Sequence, residues 1–125
     1  MQALLFGFRG RFNRSRFWLV HIGVGLVATA VASAAFITVV VSTGVEGARA
    51  AMATTGIVAS LLFIPLIWIS FAASVKRWHD CDKSGWWMLV NFVPVIGGLW
   101  FLIECGFLPG TPGPNAYGPD PLVAG

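Results

Sequence analysis

Charge is scarce in this sequence. Charged residues make up 10% of the 125 positions and hydrophobic residues 57%, whereas a soluble domain carries about 25% charged residues. A soluble fold with so few charges would leave large apolar patches in water, and lipid removes that cost by becoming the solvent. Basic residues are absent after Lys83. Cysteine is limited to Cys81 and Cys105, which excludes a disulfide scaffold and a cysteine-based metal site. No Gly-x-Ser-x-Gly, His-Glu-x-x-His or phosphate-binding loop occurs, so no catalytic residue is assigned from motifs. No cofactor or metal is expected, and no soluble basic domain is present that would suit nucleic acid.

What is present is a set of long uncharged runs. Residues 17–43, 50–75 and 84–103 contain no Asp, Glu, Lys or Arg. Roughly 20 apolar residues in a helix cross a hydrocarbon core of about 30 Å. The expectation is an all-α integral membrane bundle of three transmembrane helices in one domain. Its parts are a basic cytoplasmic segment at 1–16, helices at 17–43, 50–75 and 84–108, a cytoplasmic loop at 76–83, and a tail at 109–125. Cleavage at Ala32-Ser33-Ala34, as after a signal peptide, is disfavoured because the apolar run continues to Val41.

The distribution of the basic residues gives an orientation. Arg9, Arg11, Arg14 and Arg16 precede the first run, and Lys76, Arg77 and Lys83 lie between the second and third. The positive-inside rule places both segments in the cytoplasm, with two crossings between them. A third crossing then sends the Pro/Gly-rich tail outside. Trp18, Trp78, Trp86 and Trp87 fall at the expected cytoplasmic helix ends, where indoles favour the headgroup level. Gly25, Thr29 and Ser33, then Gly56 and Ser60, then Ser70 and Ser74, are spaced for close helix contact. Pro65 should kink the second helix. Pro94 with Gly97-Gly98 interrupts the third, which makes a re-entrant hairpin the alternative to a full span. On the three-span reading Cys81 and Cys105 sit at opposite ends of one helix, roughly 36 Å apart, and form no disulfide.

Three polar segments remain. Gly10-Arg11-Phe12-Asn13-Arg14-Ser15-Arg16-Phe17-Trp18 leads into the first run. Arg77-Trp78-His79-Asp80 continues through Asp82 into Ser84-Gly85-Trp86-Trp87. The tail contains Gly113-Pro114-Asn115-Ala116-Tyr117-Gly118-Pro119-Asp120-Pro121. Together, in this order and across nearly the whole chain, they resemble the domain of unknown function 805 family. Trp78 stands where Leu is common in that pattern. The resemblance implies a multi-pass protein of the bacterial inner membrane and implies no activity.

Read residue by residue, the candidate cluster is Arg77, His79, Asp80, Asp82 and Trp86. Ion pairing of Asp80 or Asp82 with Arg77 or an N-terminal arginine is favoured over metal binding, because adjacent residues do not face one point on a helix. His79 beside Asp80 has the chemistry of a titrating pair but lacks a nucleophile. Arg11, Arg14 and Arg16 suit ion pairs or anionic lipid headgroups. In the tail, Asn115, Tyr117, Gly118 and Asp120 carry a turn motif expected to cover helix ends. The reading is a non-enzymatic membrane protein acting through packing with itself as a homo-oligomer, with lipids, or with membrane partners. A small oligomeric channel or transporter and a membrane enzyme using His79 are the alternatives.

Overall fold

The structure is a computed structural model that describes residues 5–123, the side chains of 42–55 and 58 excepted. Residues Arg14–Asp80 are helical throughout and form α1. A straight helix of 67 residues would be about 100 Å long. Its ends nevertheless meet. The Phe12 N–H donates to the Lys76 carbonyl at 3.1 Å, and His21 Nε2 lies 3.2 Å from Ser74 Oγ. α1 therefore doubles back on itself, with Val39 and Gly56 lining one cavity on the way to the reversal. Where a break between helices at 17–43 and 50–75 was expected, the backbone at 44–49 is helical too, and the side chains there lie outside those described.

The two arms, Arg14–Val41 and Ala59–Asp80, contain 28 and 22 residues. At about 1.5 Å per residue both are long enough to cross a core of about 30 Å. Only 6% and 28% of their most apolar stretches is buried within the protein, so most of that surface faces outward. Asn13 starts α1: its backbone is extended, and its side-chain oxygen accepts the Arg16 N–H at 2.9 Å, satisfying a donor the helix cannot use. Pro65 is accommodated within the second arm. Beyond the Cys81 cap, Asp82 turns the chain with a φ of 56°, a conformation that Asp tolerates better than most residues.

The segment after α1 is not one continuous helix. Residues Gly85–Phe92 form a 3-10 helix, followed by α2 at Ile96–Phe101 and a π-helical continuation at Leu102–Phe107. Pro94 supplies no N–H, and Val95 at φ 64° and ψ −59° forms a γ-turn closed by the Ile96 N–H on the Pro94 carbonyl at 2.7 Å. Gly97 lets the returning limb approach: a β-carbon there would sit 1.8 Å from the Val90 carbonyl oxygen. The chain thus folds back at 94–98, and the expectations of a full helix at 84–108 and of a tail at the opposite end from the N-terminus are both corrected. No strand occurs among the described residues; Asn115 and Gly118 form an isolated bridge.

Phe17, Trp78 and Cys105 form the core where the limbs meet, with Trp18, Met88 and Phe101 against it. Trp78 is fully buried within the protein rather than exposed at a helix end. The small-residue spacing also plays a different part from the one expected. Nothing lies within 4 Å of a β-carbon built on Gly25 or Gly56, so those positions do not bring helices together. Thr29 and Ser60 instead return their hydroxyls to the carbonyl four residues earlier, whereas Ser74 does so and also meets His21 across the two arms, as its spacing led one to expect. Cys81 and Cys105 are both free. The 36 Å separation expected of them does not hold, because the returning limb brings Glu104 O within 3.9 Å of Cys81 Sγ.

Candidate functional site

The N-terminal segment, the end of α1 and the tail converge on Asp80. Arg11 Nε donates to Asp80 Oδ1 at 3.0 Å, and Arg77 Nη1 donates to Asp80 Oδ2. Both arginine side chains are 1% exposed or less and that of Asp80 only 4%, so this is a buried pairing of two cations with one anion. The second cation is accommodated because the guanidinium forks are filled by backbone. Arg11 Nη1 donates to the Gly113 carbonyl at 2.6 Å and the Gly118 carbonyl at 3.3 Å, and its Nη2 reaches the Thr111 carbonyl. Arg77 Nε donates to the Cys105 carbonyl at 2.7 Å, and Nη2 to the Leu108 carbonyl.

The acceptors on Cys105 and Leu108 have a common origin. The last carbonyls of a helix have no partner within it, and the helical limb ends at Phe107. Four donors meet that end. Arg77 takes Cys105 and Leu108, Trp18 Nε1 takes Gly106 at 3.1 Å, and Arg14 Nη1 takes Phe107 at 3.0 Å. Cations there also face the negative end of the helix dipole. Arg11 does for the tail turns what Arg77 and Arg14 do for the helix.

The tail is held from the other side by His79. Its ring stacks on Tyr117 with centroids 4.0 Å apart and planes 3° from parallel. Its carbonyl accepts from Asn115 Nδ2 at 2.8 Å, and Nδ1 lies 3.3 Å from the Gly10 carbonyl. The Thr111 N–H donates to the Asp80 carbonyl at 2.7 Å. Gly110 passes so close to Asp80 that a β-carbon would lie 2.0 Å from Oδ2. Asp120 closes the tail on itself, accepting from the Gly113 and Leu122 N–H groups at 2.9 Å each, and these two donors hold its carboxyl below the ordinary carboxylate value. A cleft of about 230 Å³ remains between tail and N-terminal segment, lined by Arg11, Asn13, Arg14, Ser15, Thr111 and Asp120 among others.

Of the residues singled out from sequence, Arg11, Arg77, His79, Asp80, Asn115, Tyr117 and Gly118 are brought together here, and Asp120 organises the tail beside them. Asp82 is not paired with an arginine; its Oδ1 accepts the Ala116 N–H at 3.4 Å. Arg16 is exposed. Trp86 is 78% exposed on the hairpin and takes no part. Lys83 and Glu104, which sequence reasoning did not connect, form a second ion pair, with Lys83 also over the rings of Trp78 and Trp87. Burial raises the Cys81 thiol above its usual value, which disfavours a reactive thiolate. Among the described residues no group of three or more His, Cys, Asp or Glu could hold a metal ion.

Comparison with known proteins gives the same frame. The chain is similar to inner membrane protein YhaH of Escherichia coli strain K12, 36% identical over 117 residues that cover 94% of this chain and 88% of that one. It is 32% identical to inner membrane protein YhaI of the same strain over 116 residues, 92% of this chain and 86% of that protein. It is also 31% identical to the uncharacterized protein YiiR over 144 aligned positions, 96% and 89% of the two chains. No solved structure matches the chain. The model of the family "Protein of unknown function (DUF805)" matches residues 5–119, and the chain belongs to that family.

Proposed function

We propose that this is a non-enzymatic protein of the bacterial inner membrane, with two crossings and with both the N-terminus and the tail in the cytoplasm. It works by packing within the bilayer while presenting a closed polar cap at the inner face. The observation that carries the reading is the convergence on Asp80. Arg11 and Arg77 bind one carboxylate and the tail backbone together, so the tail shares the end that holds Arg9, Arg14, Arg16, Lys76 and Lys83. The positive-inside rule assigns that end to the cytoplasm. The non-enzymatic part is supported by how the polar groups are used: both guanidinium groups are filled by a carboxylate and by backbone carbonyls, and His79 is occupied as a stacking platform. Within one copy the cavity of about 390 Å³ between the arms is lined by apolar side chains apart from Ser70 and Ser74, which offers no polar path.

The test is labelling of a cysteine placed at Ala116 in a Cys81→Ser background. In intact cells a membrane-impermeant maleimide should leave it unlabelled, and permeabilised cells should label it fully. Labelling from outside the intact cell would reject the topology. Replacing His79 with Phe, which keeps an aromatic ring on Tyr117, should preserve complementation of a deletion strain. Loss of complementation by a folded His79→Phe protein would move the reading to chemistry at that imidazole.

A further inference from the structure

We infer that residues 85–107 insert between the acyl chains of the inner leaflet as a half-depth wedge, with the reversal at 94–98 near the bilayer midplane. The inference rests on the topology proposed above and adds a lipid partner for the segment that does not cross. Its length fits that depth. The returning limb Ile96–Phe107 is a continuous apolar helix, and its 12 residues rise about 18 Å, a little over half of a core of about 30 Å.

The outward face is free of charge where it would be deepest. Phe92, Val95, Ile96 and Leu99 are between 55% and 81% exposed, and no Asp, Glu, Lys or Arg occurs from Ser84 to Ile103. Charge returns only towards the base, where Glu104 is paired with Lys83 and also receives the Trp100 N–H. Irregular backbone at membrane depth is costly unless its polar groups are satisfied. Most of the donors at this tip are satisfied internally. Pro94 has no N–H, and those of Val93, Ile96, Gly97 and Leu99 donate to the carbonyls of Val90, Pro94, Val93 and Val95. Near the tip the face exposes one amide, Asn91, which turns to Met88 Sδ at 3.8 Å, and a water-soluble partner would need a fuller polar rim than that. Its apolar surface continues that of the arms, where Leu19, Ile22 and Leu26 are equally exposed. Lipid chains are therefore the occupant.

The wedge is tested with nitroxide labels on Phe92→Cys, Ile96→Cys and Leu99→Cys, in the Cys81→Ser background, in vesicles of phosphatidylcholine and phosphatidylglycerol. Each label should collide several-fold more often with dissolved oxygen than with an aqueous nickel chelate, and a label at Thr111→Cys should show the reverse. Equal nickel access at Ile96 and Thr111 would overturn the insertion. A label shielded from both reagents would overturn lipid as the occupant, because protein would be covering the face. If labelling disturbs the fold, quenching of the native tryptophans by lipids brominated at mid-chain replaces it. Quenching should fall in Trp100→Phe and stay unchanged in Trp18→Phe; no change in Trp100→Phe would overturn the wedge. The tail cysteine separates the two ideas: outside labelling at Ala116 removes the topology, whereas a protected tail with an aqueous Ile96 label removes the wedge alone.

Discussion

Asp80 is the residue on which the most depends, because its carboxylate stands between two buried cations. Removing one member of a buried ion pair leaves uncompensated charge and costs about 3–5 kcal/mol. Asp80→Ala is therefore expected to lower thermal stability in detergent micelles by that order. Gly110→Ala should reproduce part of the loss without changing any charge, since the new methyl group would displace the carboxylate. Asp120 acts differently, as a half-buried group held in the ionised form by two N–H donors. Its folded state binds protons less readily than its unfolded state. The contribution is thus complete above the ordinary value of 3.8 and is lost as pH falls through the lower folded value. The protection of tail amides, measured against their intrinsic exchange rate at each pH, should fall on acidification through that window in the wild type, and Asp120→Asn should abolish the dependence. At this scale the sequence allowed the partners of Asp80 to be named as a class. Buried or interfacial charge must pair, and Arg77 and the N-terminal arginines were the cations at hand. It did not separate Asp80 from Asp82, and it did not show that most of the arginine bonds go to backbone. Carbonyls are the same at every position, so only the path of the chain decides which of them Arg11 reaches.

Among the elements, the hairpin at 85–107 is the one whose local chemistry and hydropathy disagree. Hydropathy alone reads it as a span, because an uncharged run of that length fits the bilayer. Pro94, Gly97 and Gly98 decide otherwise. The breakers were visible in the sequence, but breakers are also tolerated within membrane helices, as Pro65 is in α1. What separates the two cases is that Pro65 lies in an otherwise regular helix, whereas Pro94 is followed within three residues by a glycine that the Val90 carbonyl approaches at a distance no side chain allows. The turn carries strain at Val95, a β-branched residue at φ 64°. Residues in such sparsely populated regions cost of order 1–3 kcal/mol. Val95→Gly should therefore raise the thermal midpoint, by about 1 kcal/mol in stability, while Gly97→Ala should lower it by opening the reversal. A fall in stability for Val95→Gly would show that the valine side chain contributes more than its backbone costs. The two arms of α1 were legible because length and uncharged composition agree, although the Asn13 cap that starts the helix ahead of residue 17 was not read from the sequence.

For the whole molecule, the cap is closed by bonds between distant parts of the chain. Removing the tail after Leu108 would leave Arg11 without its three tail carbonyls and Asp80 without its cover at Gly110 and Thr111. Such a truncation should still enter the membrane, since both arms remain, yet its N-terminal segment should become sensitive to protease in inverted vesicles. Because the Arg11–Asp80 pair is buried, high salt should not mimic the truncation. The same distances set an order of events during synthesis. Arg11 is separated from Thr111 by 100 positions and from Gly113 by 102. At about 5–20 residues per second, roughly 5–20 s pass between the emergence of Arg11 and the arrival of its acceptors. The bonds from Arg11 to the tail can close only once Gly118 has been made, so the two arms are synthesised well before the cap that joins their ends.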